Sequence, residues 1–283
     1  MPDFSIVDAH VHLYDPARLS YPWMASVPAI DRRMLPADYD AARAPVEVDR
    51  MVFVEVAVAP GAHLDEARFV RDLAEGETRI AGVVAHAPVE KGRAVEEDLD
   101  ALMDLGRLRG IRRLIQDEPD AGIVLAPDFL EGVRSLAAHD LTFDLCIRHW
   151  QLPEAIELVR RCPEVRFVLD HIAKPGIAEG LREPWAAQIA ELARLPNVVC
   201  KVSGVITEAG PAWTVASLRP YVEHVIECFG FARCLYGSDW PVSELSHRYV
   251  QWVEALDAIL AGTPEADLRR FWRETAIRTY GLT

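Results

Sequence analysis

The stretch IVDAHVHLYDP, residues 6–16, places His10 and His12 one residue apart at the end of an apolar run, with Asp8 two residues before the first histidine. Side chains two apart on an extended strand face the same way. Asp8, His10 and His12 are therefore expected on one face. Imidazole nitrogens beside a carboxylate can hold a divalent metal or transfer protons. Packed core residues are the alternative that spacing alone leaves open.

Other groups capable of chemistry stand where further apolar runs end. GIRRLIQDE brings Arg112 and Arg113, LCIRHWQLP brings Arg148 and His149, and VLDHIAKP brings Asp170, His171 and Lys174. CKVSG contributes Lys201, and YGSDWPV contributes Asp239 between Tyr236 and Trp240. A folding core has no reason to collect polar side chains at one end of most of its strands, so the set reads as a site. Within it, Arg148 is preferred to His149 as the inward residue, because neighbours in a strand face opposite ways. By the same rule Asp170 should face away from His171 and be structural. Asp8, one alternation deeper than His10, is an inner-layer residue or a group that orients a histidine.

Positioning these residues requires strands of similar length feeding one mouth. Apolar runs at 4–9, 50–57, 80–85, 109–115, 142–147, 166–170, 198–202 and 234–237 alternate with segments of helical period. Eight such alternations imply a parallel sheet covered by helices. The economical closure is a (β/α)8 TIM-type barrel of α/β class, one domain over 1–283, with its site at the carboxyl ends of the strands. A doubly wound open sheet is the second choice. No G-x-G-x-x-G or P-loop turn follows any run, which weighs against nucleotide binding. Residues 13–48 form an unusually long connection that would lie over the catalytic face, making Tyr21, Trp23 and Arg33 candidates for a pocket wall or lid.

A formal net charge of −14 argues against nucleic acid, since phosphate contact needs clustered Lys and Arg. Five cysteines, Cys146, Cys162, Cys200, Cys228 and Cys234, form no C-x-x-C pair and read as reduced thiols. The N-terminus lacks a signal-peptide pattern and no run reaches membrane-spanning length, so the expected location is the cytoplasm. The expected partner is a small-molecule substrate, without nucleic acid or membrane. The oligomeric state is open, a homo-oligomer included.

Taken together, DAHVH, LDHIAKP and YGSDWP resemble the amidohydrolase superfamily, and LRGIR with QDE, VVCKVSG and YGSDWPV resemble its sugar-lactonase group, which includes L-fuconolactonases and L-rhamnonolactonases. The resemblance implies a distorted barrel that hydrolyses a cyclic ester such as an aldono-1,4-lactone. It also implies His10, His12, His171 and Asp239 as the positions matching the family's metal ligands. The bridging lysine or glutamate expected on strand four is absent, and Arg112 and Arg113 stand in that region. At most one zinc is therefore expected, or none. Asp239 is the expected general base, and the three histidines would polarise the carbonyl directly or through the metal. Arg113, Trp23, Arg148, Lys174 and Trp240 are the expected substrate-binding residues, although Lys174 could instead cap local carbonyls and Trp240 could only pack. A metal-dependent decarboxylase, or another hydrolase of the same superfamily, acting on a cyclic or aromatic carboxylate is the alternative activity on the same scaffold.

Overall fold

The computed structural model describes residues 1–283. Its eight strands are β1 (Ile6–Val11), β2 (Val48–Val54), β3 (Ile80–Ala85), β4 (Leu108–Arg112), β5 (Thr142–Leu145), β6 (Arg166–Leu169), β7 (Val198–Val202) and β8 (Cys234–Tyr236). Every sequential pair is parallel, and the spatial order follows the chain order. Helices fill the connections, so the chain forms the barrel rather than an open doubly wound sheet. Each strand overlaps the run expected for it, and the ends differ by a few residues.

Closure is incomplete as a ladder, which is the distortion. Between β8 and β1 the seam is held past the end of β8, where the His12 N–H donates to the Trp240 carbonyl at 2.8 Å and the Asp239 N–H to the His10 carbonyl at 3.0 Å. Those two bonds tie the backbone of three site residues directly to the seam. The lower barrel is apolar: Val7, Ala9, Val52, Val54, Val84, Val168 and Leu235 pack with Tyr280 of the last helix, Thr275–Tyr280, which plugs that end.

The register of β1 slips between Asp8 and Val11, and the slip overturns the shared-face expectation. Val7 and Ala9 point inward and Asp8 outward, yet His10 and His12 both reach the interior. Asp8 accepts from the hydroxyls of Tyr39 at 2.9 Å and Tyr249 at 3.1 Å, on the outer helices Pro36–Arg43 and Tyr249–Ile259.

The long connection after β1 is built rather than open. Tyr14 and Met34 pair their backbones reciprocally at 2.9 Å, and Tyr39 lies buried within the connection. Trp23 is drawn over the mouth by its indole N–H, which donates to the Val56 carbonyl at 2.8 Å. Arg33 is exposed to solvent and Tyr21 packs against Tyr14, so neither lines the mouth.

The helix Pro127–Ser135 lies so close to the segment Val89–Val95 that a Cβ on Gly132 would sit 2.0 Å from the Val89 carbonyl oxygen. A backbone atom cannot step aside as a flexible side chain would. Gly132→Ala should therefore destabilise the protein by about 2 kcal/mol or more, read as a lowered urea midpoint with an unchanged slope.

Candidate active site

Three imidazole nitrogens converge on one carboxylate oxygen at the mouth. Asp239 Oδ1 lies 3.4 Å from His12 Nε2, 3.6 Å from His10 Nε2 and 3.9 Å from His171 Nε2. All four side chains are buried. Burial pushes His10 and His171 below the usual imidazole range, His171 to about 4, against the opposing pulls of Asp170 and Asp239. Burial also opposes ionisation of Asp239, but His171, His12 and His10 outweigh it and hold the carboxyl well below the usual carboxylate range. At neutral pH the centre is thus an ionised carboxylate facing neutral His10 and His171.

Beneath these groups lies a buried network of charges. Lys201 Nζ stands 2.9 Å from Asp144 Oδ2 and 2.8 Å from Asp170 Oδ1, with all three side chains fully buried. Tyr280 donates to Asp144 at 2.6 Å. Arg112 forms the other half: its Nε donates to Glu55 Oε1 at 2.7 Å and its Nη2 to the Glu55 carbonyl at 2.6 Å. Arg112 Nη1 then reaches Asp170 Oδ2 at 3.4 Å and His10 Nε2 at 3.3 Å. His10 therefore rests on two cations and Asp170, which fixes its ring.

Unusual backbone delivers His171 and Asp239. His171, Ile172, Ala173 and Lys174 are consecutively left-handed, with φ of 54°, 49°, 62° and 48°, and Asp239 has φ 60°. Each such residue costs roughly 1–2 kcal/mol relative to the right-handed form, so surrounding contacts must hold it. Trp185 Nε1 donates to the Ile172 carbonyl at 2.8 Å. Asp8 Oδ1 accepts the Ser238 N–H at 2.9 Å, next to Asp239. The left-handed turn also brings Asp170 and His171 to the same centre, contrary to the expectation that Asp170 faces away. Gly204 (φ 62°) permits the approach, since a Cβ there would meet His171 Nδ1 at 2.8 Å and Asp239 Oδ2 at 3.3 Å.

A cavity of about 210 Å³ opens onto this centre, and His12, His171, Asp239, Trp23, Arg112 and Lys174 are among its walls. Of the expected substrate-binding residues it thus brings in Trp23 and Lys174. Arg113 does not join them: it faces the neighbouring groove and pairs with Glu118 and Glu90. Its neighbour Arg112 takes the inward position, in phase with Gly110, whose missing Cβ would strike Thr142 inside the barrel. Arg148 stays at the rim, 3.5 Å from Asp117 and stacked over Trp150. Trp240 packs behind the strand-eight turn, its ring edge against Tyr39 and its N–H donating to Glu244 at 3.0 Å. Gln116, Asp117 and Cys146 line the cavity without having been singled out. Cys146 continues the alternation of Thr142 and Asp144 one residue past the end of β5.

His12 bears on whether a cation belongs here. Its Nδ1 lies 2.8 Å from the Val54 carbonyl, which can only accept, so Nδ1 carries the proton. His12 Nε2 then faces Asp239 Oδ1 at 3.4 Å, an arrangement that needs a cation or a proton between the two atoms. Three imidazole nitrogens and one carboxylate form a donor set suited to zinc, and His10, His12 and Asp239 are close enough to share an ion. The other grouping, His10, Asp170 and His171, is opposed by Lys201 and Arg112, which already claim both Asp170 oxygens. The residues therefore fit one ion and not two.

The sequence matches the family model described as amidohydrolase over residues 7–282. It is 35% identical over 244 residues to L-fucono-1,5-lactonase of Burkholderia ambifaria, covering 86% of this chain and 82% of that protein. It is 33% identical over 291 residues to L-fucono-1,5-lactonase of Burkholderia multivorans, covering 98% and 96%. A crystal structure of a Burkholderia multivorans amidohydrolase with bound zinc superposes with a TM-score of 0.88 at 31% identity, covering 99% of this chain and 100% of that one. No helix is long and apolar enough to cross a membrane.

Lys201 is the test of the buried network. Lys201→Met keeps the apolar stem and removes the cation, leaving Asp144 and Asp170 facing each other in the buried interior. The expected loss is about 3–5 kcal/mol, the cost of stranding a buried charge, measured by chemical denaturation.

Proposed function

The chain belongs to the amidohydrolase family, and on that premise we propose that it hydrolyses a small sugar-acid lactone, an aldonolactone, at the mouth of the barrel. One observation carries this reading: three histidine nitrogens gather round the Asp239 carboxylate, and that carboxylate lines a single small cavity together with His12 and His171. The lactonase relatives, matched over most of their length, support a cyclic ester as the substrate class.

Opening a lactone requires a polarised carbonyl, a deprotonated water and a proton for the departing ring oxygen. Asp239, ionised at neutral pH, accepts a hydrogen bond from the water and takes its proton as that water attacks the carbonyl carbon. The same proton is then available to the ring oxygen when the acyl–oxygen bond breaks, so Asp239 ends the cycle ionised. A carboxylate held so far toward ionisation is a weak base and needs help from positive charge. Arg112 supplies some of it from the cavity wall and, in place of Arg113, stabilises the carbonyl oxygen as it becomes negative. Lys174, paired with Gln116, stands ready to grip substrate hydroxyls. Trp23 covers the ring face and limits bulk water.

His10, His12, His171 and Asp239 are the residues that would hold a zinc ion. Such an ion would supply Lewis acidity for the carbonyl and acidify bound water.

Proton release from a panel of aldonolactones tests the reading. Ring opening is expected, with Asp239→Asn lowering kcat by about 10²–10⁴-fold while the unfolding temperature stays near that of the parent. A protein that opens no lactone but removes CO₂ from a carboxylated aromatic would overturn it. Metal analysis of the active protein should give one zinc per chain, reduced in His12→Asn. Full activity in metal-free protein would instead assign carbonyl polarisation to the histidines themselves.

A further inference from the structure

A second cavity adjoins the catalytic one. It measures about 390 Å³ and includes His63, His86, Glu90, Arg113 and Glu118 in its lining. Ala57, Leu114 and Asp117 line both cavities and form the boundary between them. At that boundary Ala57 is left-handed (φ 52°), its N–H donating to Glu55 Oε2 at 2.7 Å. Such strain in a non-glycine residue is characteristic of ligand sites, and a methyl group there keeps the wall low.

The polar groups in this cavity are arranged for a ligand without charge. Arg113 is already paired with Glu90 and Glu118, and Asp117 and Glu55 bring the carboxylates of the lining to four. An anionic ligand would meet net negative charge. His63 is held by Asp98 at 2.9 Å, whereas the neighbouring His86 ring makes no hydrogen bond within the protein. Burial lowers the pKa of His86, so the ring is neutral and offers one donor and one acceptor. Carboxylates that accept, a guanidinium that donates and an imidazole that does both are the complement of a run of hydroxyls.

Size points the same way. At about 210 Å³ the catalytic cavity falls below the roughly 300–1,000 Å³ usual for ligand pockets, while the second lies within that range. A single ring matches the first and leaves the larger cavity empty.

We infer that the second cavity is a subsite for an uncharged polyhydroxylated extension of the substrate, a glycosyl group joined to the aldonolactone whose ring enters the catalytic cavity. The ring's identity rests on the lactonase reading. The extension rests on the cavity.

Two measurements separate these dependencies. The first compares kcat/KM for a single-ring aldonolactone and its glycosylated counterpart, in the parent protein and in His86→Trp, which narrows the cavity. The extended lactone should be favoured at least tenfold, and the variant should lose that advantage while still opening the single ring. Opening of the single ring with no advantage for the extended one would overturn the subsite and leave the lactonase reading standing. If neither lactone is opened, the lactonase reading fails, and calorimetric titration with a disaccharide alditol, which has no ester, decides the subsite. Binding weakened tenfold or more by His86→Trp supports it, and no binding to the parent protein overturns it. Should His86→Trp not fold, His86→Ala and Glu118→Ala serve in both measurements.

Discussion

Everything at the mouth of this barrel rests on the ammonium of Lys201, fully buried between Asp144 and Asp170. Burying an ion pair is costly unless its geometry is good and the remaining valences are satisfied. Here most of them are, because Thr142 and Tyr280 donate to Asp144 and Arg112 reaches Asp170 Oδ2, while Asp170 Oδ1 has the Lys201 ammonium beside it and no hydrogen bond. A buried network of this kind has few alternative arrangements. It couples the plug helix at one end of the barrel to the histidines at the other. His10 lies directly on it, 3.3 Å from the Lys201 ammonium and 3.5 Å from the Asp170 carboxylate.

On this floor the chain departs from regular geometry three times, and each departure serves convergence. The slip in β1 turns His10 and His12 inward together. The left-handed turn after β6 brings His171 to the same point as Asp170. The left-handed Asp239 completes the group beside the seam. None of these conformations is favourable alone. Asp8, tied to Tyr39, Tyr249 and the Ser238 N–H, holds the β1–β8 corner from outside, and Trp185 holds the turn after β6. The resulting site is organised before substrate arrives, the condition under which fixed dipoles and charges assist a reaction most.

The barrel was legible because eight apolar runs with intervening helical periods admit few solutions, and each run overlaps an observed strand. Polar residues at strand ends have one destination in such a fold, and the resemblance carried by DAHVH, LDHIAKP and YGSDWP singles out His10, His12, His171 and Asp239 among them. The misreadings have a shared cause. Strict alternation put Asp8 beside the histidines and turned Asp170 away, and both fail where the backbone slips or turns left-handed. The run GIRR does not by itself say whether Arg112 or Arg113 faces the site, and Gly110, which faces the crowded interior, sets the phase for Arg112. Trp240 follows Asp239 so closely that only coordinates separate a wall residue from one packed behind it. The pairing of Lys201 with Asp144 and Asp170 joins three strands and leaves no local trace in sequence.

The proposed reaction requires the carbonyl of a lactone ring to sit against the Asp239 and histidine cluster. A crystal structure with an aldonolactam, the amide counterpart of the lactone that resists ring opening, measures this directly. The lactam carbonyl is expected within about 3.5 Å of the cluster, at hydrogen-bonding or ion-bridging range, with Arg112 and Lys174 facing the ligand. A lactam bound with its carbonyl turned away from Asp239, His10, His12 and His171 would contradict it.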